Sequence, residues 1–195
     1  MSERVKIILD KNADILRLPA IALRGLVVFP GNIIHFEVGR KKSIAAIEWA
    51  MSNNNAVFLT AQQDMDVEDP GFKDLYAYGV VAEVKQVLRV SDELVKVLVE
   101  GKYRAKLLTL DSSGRFLLAS TKAAALRGTK SVDSARMEAL VRSVKEAFEE
   151  YLSLNPRLSK DVVYTIITNE DAALLCDYIP ANLLLKYTDK QALLN

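Results

Sequence analysis

Residue types that commonly do chemistry are sparse in this chain, and their spacing excludes most of what they could do. His35 is the only histidine and Cys176 the only cysteine. A zinc site needs three or four such ligands at short, regular intervals, so no zinc spacing exists here. His35 sits in the strand-like IIHFEV, where an imidazole is more often structural or surface-exposed than catalytic. Cys176 lies in the apolar run AALLCDYI and reads as a buried thiol. A single cysteine excludes an intramolecular disulfide and suits a reducing compartment, most simply the cytoplasm. The tetrapeptide GTKS, Gly128 to Ser131, has the lysine of a phosphate loop. Thr129 separates that lysine from the glycine, however, and Ala123 stands where a first glycine is required, so it is not a nucleotide site. The acidic stretch DMDVEDP lacks the glycine and terminal glutamate of a calcium loop and reads as a solvated surface loop. Serine and lysine are both common, but no serine has neighbours that mark it as a nucleophile. The expectation is a chain with no catalytic residue, no metal site and no cofactor of its own.

What remains is chemistry by contact. Leu26, Val27, Val28, Phe29 and Pro30 form an apolar run between Gly25 and Gly31. A buried strand could use such a run, but Pro30-Gly31 ends it in a turn. Two outcomes stay open. The run packs beneath its own loop as core, or it is a patch that holds apolar segments of another chain. Ile34, Phe36 and Val38, which alternate with His35 and Glu37, are assigned to the core.

The elements that must position this run change period along the chain. AIAL, IIHFEV and AVFLTA read as strands. Between the last two, KKSIAAIEWAMSNNN places Ile44, Ile47 and Met51 on one helical face, with Ser43 as the cap and the asparagines as the stop. Gln62 to Lys73 is a loop. YGVVAEVKQVLRV and ELVKVLVEGKYRAKLLTL are long strands joined around Ser91-Asp92, with a bulge or sharp bend at Gly101. RFLLASTKAAAL follows the turn DSSG. Many short strands, one helix and tight turns predict a curled sheet or small barrel.

From Val132 to Leu154 apolar residues recur every three or four positions, which predicts an amphipathic helix of about six turns. Asn155-Pro156 ends it. Ser159 opens a second helix, and Thr168 with Asp171 reads as a capping box for a third that stops before Pro180. The fold class is therefore α+β, with a strand-rich lobe over 1–127, a helical lobe over 128–195 and a boundary near Arg127 to Lys130. Thr188 and Gln191 match another capping box, yet only four residues follow. A helix that short is unstable alone, so the chain is expected to continue from Asn195 in a longer protein.

Half of the 195 residues are hydrophobic and the net charge is +1. Such a chain buries a core, and its charge argues against a broad nucleic-acid surface. Arg24, Arg40, Lys41 and Lys42 could still form a local basic patch. No apolar stretch reaches the roughly 18 residues that cross a bilayer, and no signal-peptide pattern is apparent.

LPAIALRGLVVFPGNIIHFEVGR, DLYAYGVVAEVKQVLRV, VKVLVEGKYRAKLLTL and AALLCDYIPANLLLKYTDKQALLN occur in this order from Leu18 to Asn195. Together they resemble the N-terminal domain of Lon, the ATP-dependent protease also called protease La. Members of that family often carry an apolar residue near Asn32 and a proline near His35, so the loop is more polar here. The resemblance implies a PUA-like pseudo-barrel lobe followed by a helical lobe. It implies recognition of unfolded or degron-bearing protein substrates and support of a homo-oligomeric, hexameric ring. ATP, Mg and the Ser-Lys peptidase site belong to later modules of such a protein. A stand-alone LON-domain adaptor that recruits target proteins, and a PUA-like nucleic-acid module, are the other readings.

Overall fold

A computed structural model describes residues 15–91, 93–124, 133–155 and 158–195. The chain forms two compact units, one running to Ala124 and resuming over Leu185–Asn195, the other spanning Ala125–Leu184. The α+β class holds, and the expected boundary at Arg127 to Lys130 lies outside the described residues.

The described residues of the first unit form six strands: β1 (Leu16–Leu23), β2 (Ile33–Val38), β3 (Ala56–Ala61), β4 (Tyr78–Arg89), β5 (Val95–Asp111) and β6 (Leu117–Ala123). They run in the order β2-β5-β4-β3-β1-β6, and β5 also pairs with β6. That last pairing closes a ring from which β2 is left out, attached among the described residues to β5 alone. The 17 residues of β5 make this possible, because Val95–Glu100 pair with β2 while Ala105–Asp111 pair with β6. Register shifts at Val81/Ala82 and Val84/Gln86 bend the β4–β5 ladder as closure requires. β3 is buried along its whole length and apolar but for Thr60, as suits a central strand. Leu18, Phe58, Val81, Tyr103, Leu107 and Leu117 are among the side chains that fill the barrel.

Helix α1 (Lys41–Asn53) buries Ile44, Ala45, Ala46, Ile47 and Ala50. Its N-cap is Arg40, not Ser43, and Met51 is exposed, so Ala50 holds the face expected of Met51. Asn55, at φ +57°, turns the chain from the helix into β3, a conformation that asparagine tolerates well. β2 is less buried than its alternation predicts. Only Val38 is fully buried, Ile34 and Phe36 are half-buried, and Ile33 is 62 % exposed. Its position outside the ring accounts for this.

In the second unit, α2 (Ser134–Leu154), α3 (Lys160–Thr168) and α4 (Ala172–Asn182) gather around Phe148, Ile166 and Leu175. Ser159 caps α3 as expected, accepting from the Val162 N–H at 3.3 Å. The predicted capping box at Thr168 does not form. Thr168 ends α3 and donates to the Tyr164 carbonyl, while Asp171 caps α4 by accepting from the Ala173 and Leu174 N–H groups. Nor does Pro180 stop α4, which continues to Asn182 with the proline ring buried.

The last helix, α5 (Tyr187–Leu194), belongs to the first unit, so the helical lobe does not extend over 128–195 as expected. Its cap is Lys186 rather than Thr188. Gln191, read as part of a cap, is instead buried and donates to the Tyr78 carbonyl at 2.9 Å. Arg104 Nε donates to the Leu194 carbonyl at 3.1 Å, and the Tyr187 hydroxyl bonds the Gln63 carbonyl at 3.1 Å.

Candidate functional site

The run from Leu26 to Pro30 resolves toward the core. Val27, Val28 and Phe29 are buried, Phe29 completely, and only Leu26 and Pro30 keep partial exposure. As side chains presented to another chain, Val27, Val28 and Phe29 are therefore corrected. The loop reaches this position by crossing β5 at Gly101, where the Gly31 N–H donates to the Gly101 carbonyl at 2.8 Å and the Gly101 N–H to the Asn32 carbonyl at 2.9 Å. A Cβ on Gly101 would stand 2.2 Å from the Phe29 carbonyl oxygen, so only glycine permits the crossing. The interruption in the strand pattern at residue 101 is the sequence trace of this contact.

What the loop leaves open is a seam. β6 stops pairing with β1 at Ala20, and among the described residues β2 pairs only with β5. The end of β1 and the outer edge of β2 thus face each other across a groove of ≈ 310 Å³. Leu26 and Phe36, both half-buried, supply apolar wall, while Arg24, Glu37 and Arg40 bring charge to it. Sequence reading singled out Leu26 but missed Phe36 as an accessible wall, because its alternation marked it as core.

Arg40 organises the polar end. Its guanidinium donates to the Ala22 carbonyl at 3.2 Å, to the Val67 carbonyl at 3.3 Å and to the Gln62 side-chain oxygen. Gln62 is itself buried and donates to the Asp64 and Val67 carbonyls at 3.0 and 2.9 Å. The acidic loop is in this way tied to the barrel through neutral acceptors. Desolvation, and then the nearby charge of Arg24, pull the Arg40 pKa below its ordinary value, against the opposing pull of Asp69 and Glu68. Arg24 is exposed and donates to the Val67 carbonyl at 3.2 Å. Lys42 pairs with Asp69 at 3.0 Å. The four cations read as a basic patch are thus divided, with Arg40 turned into the groove and Lys42 paired.

Elsewhere, the outer face of β4 and β5 carries a closed set of charges. Lys85 and Lys102 each bond both Glu83 and Glu100, at 2.6–3.0 Å. This set is mutually satisfied. A groove in the helical unit, lined by Ser134, Met137, Glu138, Val141, Arg142, Lys145 and Glu170, has mixed polarity. His35 is exposed on β2, and Cys176, expected to be buried, is exposed on α4. Gly128 to Ser131 lie outside the described residues. Among the described residues, no group of three His, Cys, Asp or Glu could hold a metal ion, and no helix is long and apolar enough to cross a membrane.

The sequence matches the family described as the ATP-dependent protease La (LON) substrate-binding domain over residues 17–195. It is 38 % identical over 183 residues to the Lon protease of Desulforamulus reducens, covering 94 % of this chain and 22 % of that protein. It is 36 % identical over 184 residues to the Lon protease of Escherichia coli K12, covering 94 % of this chain and 23 % of the relative. The chain thus spans less than a quarter of the length of these relatives. Among solved structures, the N-terminal domain of Mycobacterium avium complex Lon protease has the same fold, with a TM-score of 0.71 at 19 % identity, covering 92 % of this chain and 90 % of that one. By the extent of the family match and the identity of these relatives, the chain belongs to the LON substrate-binding domain family.

Proposed function

We propose that the chain is the substrate-recognition domain of an ATP-dependent Lon protease and that it holds unfolded or degron-bearing proteins for degradation in the cytoplasm. Proteolysis, with its requirement for ATP and Mg, belongs to the remainder of such a protein, whose assembly into a ring this domain supports. The observation that carries the reading is the open seam of the barrel. It presents apolar surface from Leu26 and Phe36 in a chain whose family is defined by substrate binding. Pro30, half-buried in the same loop, is the other member of the apolar run that keeps exposed surface. Val27, Val28 and Phe29 anchor the loop from beneath.

A groove of this size holds a short stretch of chain and not a folded client. Each anchored side chain gains roughly 1.5–3 kcal/mol by burial, and ordering each client residue costs about 1–2 kcal/mol. Affinity for one copy is therefore weak, at around millimolar to tens of micromolar. Several copies on a ring raise it by about a hundredfold or more. Fluorescence anisotropy of a labelled, permanently unfolded protein titrated with the 195-residue chain tests this reading. Leu26→Glu should weaken binding several-fold with the melting temperature almost unchanged. Undiminished binding by that variant overturns the site, and no binding by the parent chain, even at millimolar concentration, overturns the function.

A further inference from the structure

We propose that the seam reads protein C-termini: an extended client segment adds as a strand along β2, and its free α-carboxylate is held at Arg24. This rests on the reading that the chain captures client polypeptides, and it specifies which part of a client the groove takes.

The first support is an unpaired strand edge. In an antiparallel ladder, alternate residues turn their N–H and C=O groups toward the partner strand. The bond from the Gly101 N–H to the Asn32 carbonyl sets the phase, so Ile34, Phe36 and Val38 face β5. Ile33, His35 and Glu37 then turn their backbone groups outward, and among the described residues nothing bonds them there. Glu37 does so beside the groove. An exposed edge next to an apolar wall is the arrangement by which domains bind extended peptides as an added strand.

The second support is charge. Arg24 and Arg40 both line the groove and both donate to the Val67 carbonyl, and among the described residues every hydrogen bond that either makes goes to a neutral oxygen. Among the described residues neither has a carboxylate within salt-bridge distance. Arg40 is committed to Ala22, Gln62 and Val67, whereas Arg24 is exposed and spends one bond on Val67. Most of the donors of Arg24 are thus available for a carboxylate, which a guanidinium binds in bidentate geometry. Glu37, among the described residues the one acidic side chain lining the groove, is paired with Lys96 at 3.3 Å, which lessens its repulsion of such a ligand. Gly25, at φ +63°, brings Arg24 and Leu26 to the same rim, so the cation and the apolar wall can meet one terminal residue. A phosphate would match the arginines but would gain nothing from Leu26, Phe36 or the strand edge.

The test uses the 195-residue chain and a matched pair of labelled hexapeptides that end in leucine, one with a free carboxylate and one amidated. The acid form should bind at least tenfold more tightly than the amide, and Arg24→Gln should erase the difference with little change in melting temperature. N-methylation of alternate backbone nitrogens in the acid peptide should weaken binding in one phase and not in the other. Equal affinity for acid and amide overturns the inference. So does a difference that survives in Arg24→Gln, or an oligonucleotide or inorganic phosphate that competes better than the acid peptide. If acid and amide bind alike while the unfolded protein still binds, only this inference fails. If the unfolded protein does not bind either, the broader reading fails with it.

Discussion

In the strand-rich unit a continuous set of fully buried side chains runs from Leu18 on β1 to Ala119 on β6. In the helical unit the fully buried set of the apolar cluster is Phe148, Ile166 and Leu175. Helix α2 buries Phe148 but leaves Leu140 and Val144 exposed, although all three fall on its apolar face. Leu154, Tyr164 and Leu184 are also largely exposed in that unit. A closed ladder satisfies its backbone only when all its strands are present, so its core forms as a whole. Three helices satisfy their own backbones and can stand on a thinner core. The difference predicts a strand-rich unit that fails all at once and a helical unit that opens locally at modest cost.

The two largest effects should come from the same contact, and the first is that of Gly101→Ala, which places a methyl group against the Phe29 carbonyl in a crossing without room for it. We expect a loss of about 3 kcal/mol or more, read as a melting temperature lowered by about 6 °C or more. Phe29→Ser should cost about 3–5 kcal/mol, because the ring is fully buried, and should unfold the strand-rich unit cooperatively. If its melting temperature is unchanged, the burial of the loop is wrong.

Phe148→Ala should cost nearer about 3 kcal/mol, at the low end for such a truncation, because half-buried neighbours such as Tyr151 and Val141 can close on the space. Hydrogen exchange should then quicken in α2, α3 and α4 and remain slow in β3 and β4. Quickening in both units alike would remove the distinction between them. Ser159→Ala should cost about 1 kcal/mol, confined to the start of α3.

The smallest effect belongs to the charges on β4 and β5. Lys102, and then Lys85, hold the Glu100 carboxyl below its ordinary value of 4.5. A carboxylate shifted down in the folded state contributes stability that is complete above its unfolded value. That contribution is lost as pH falls from about 4.5 through the lowered folded value. Glu100→Gln should flatten acid unfolding in that window and change stability at neutral pH by no more than about 1 kcal/mol, less in high salt.

Elements with a strict period were legible in the sequence. β2 and β3 fall where IIHFEV and AVFLTA place them, and the long α2 ends at Leu154 as its pattern predicts. Local chemistry was ambiguous wherever several residues could serve one role. Asp171, and not Thr168, caps α4, because both can accept an N–H and only the tertiary path of the chain chooses between them. Phe29 could have been core or surface, and the deciding contact at Gly101 lies 72 residues away in sequence. The groove was the least legible feature. It exists because β2 lies outside the ring, and strand order leaves no local pattern.

The return of α5 to the strand-rich unit has a mechanical consequence. Both Leu16, paired with Thr121, and the final helix α5 belong to one body, while the helical unit is a loop of chain spliced between β6 and α5. Tension applied between those two points is carried across the barrel and does not reach the helices. Only when the bonds from Arg104 to Leu194, from Gln191 to Tyr78 and from Tyr187 to Gln63 give way does the pull pass into α2, α3 and α4. The final helix is then a latch. While it stays shut, pulling between Leu16 and Asn195 leaves the weaker unit slack, and its release lets the helices unravel after the latch and before the barrel.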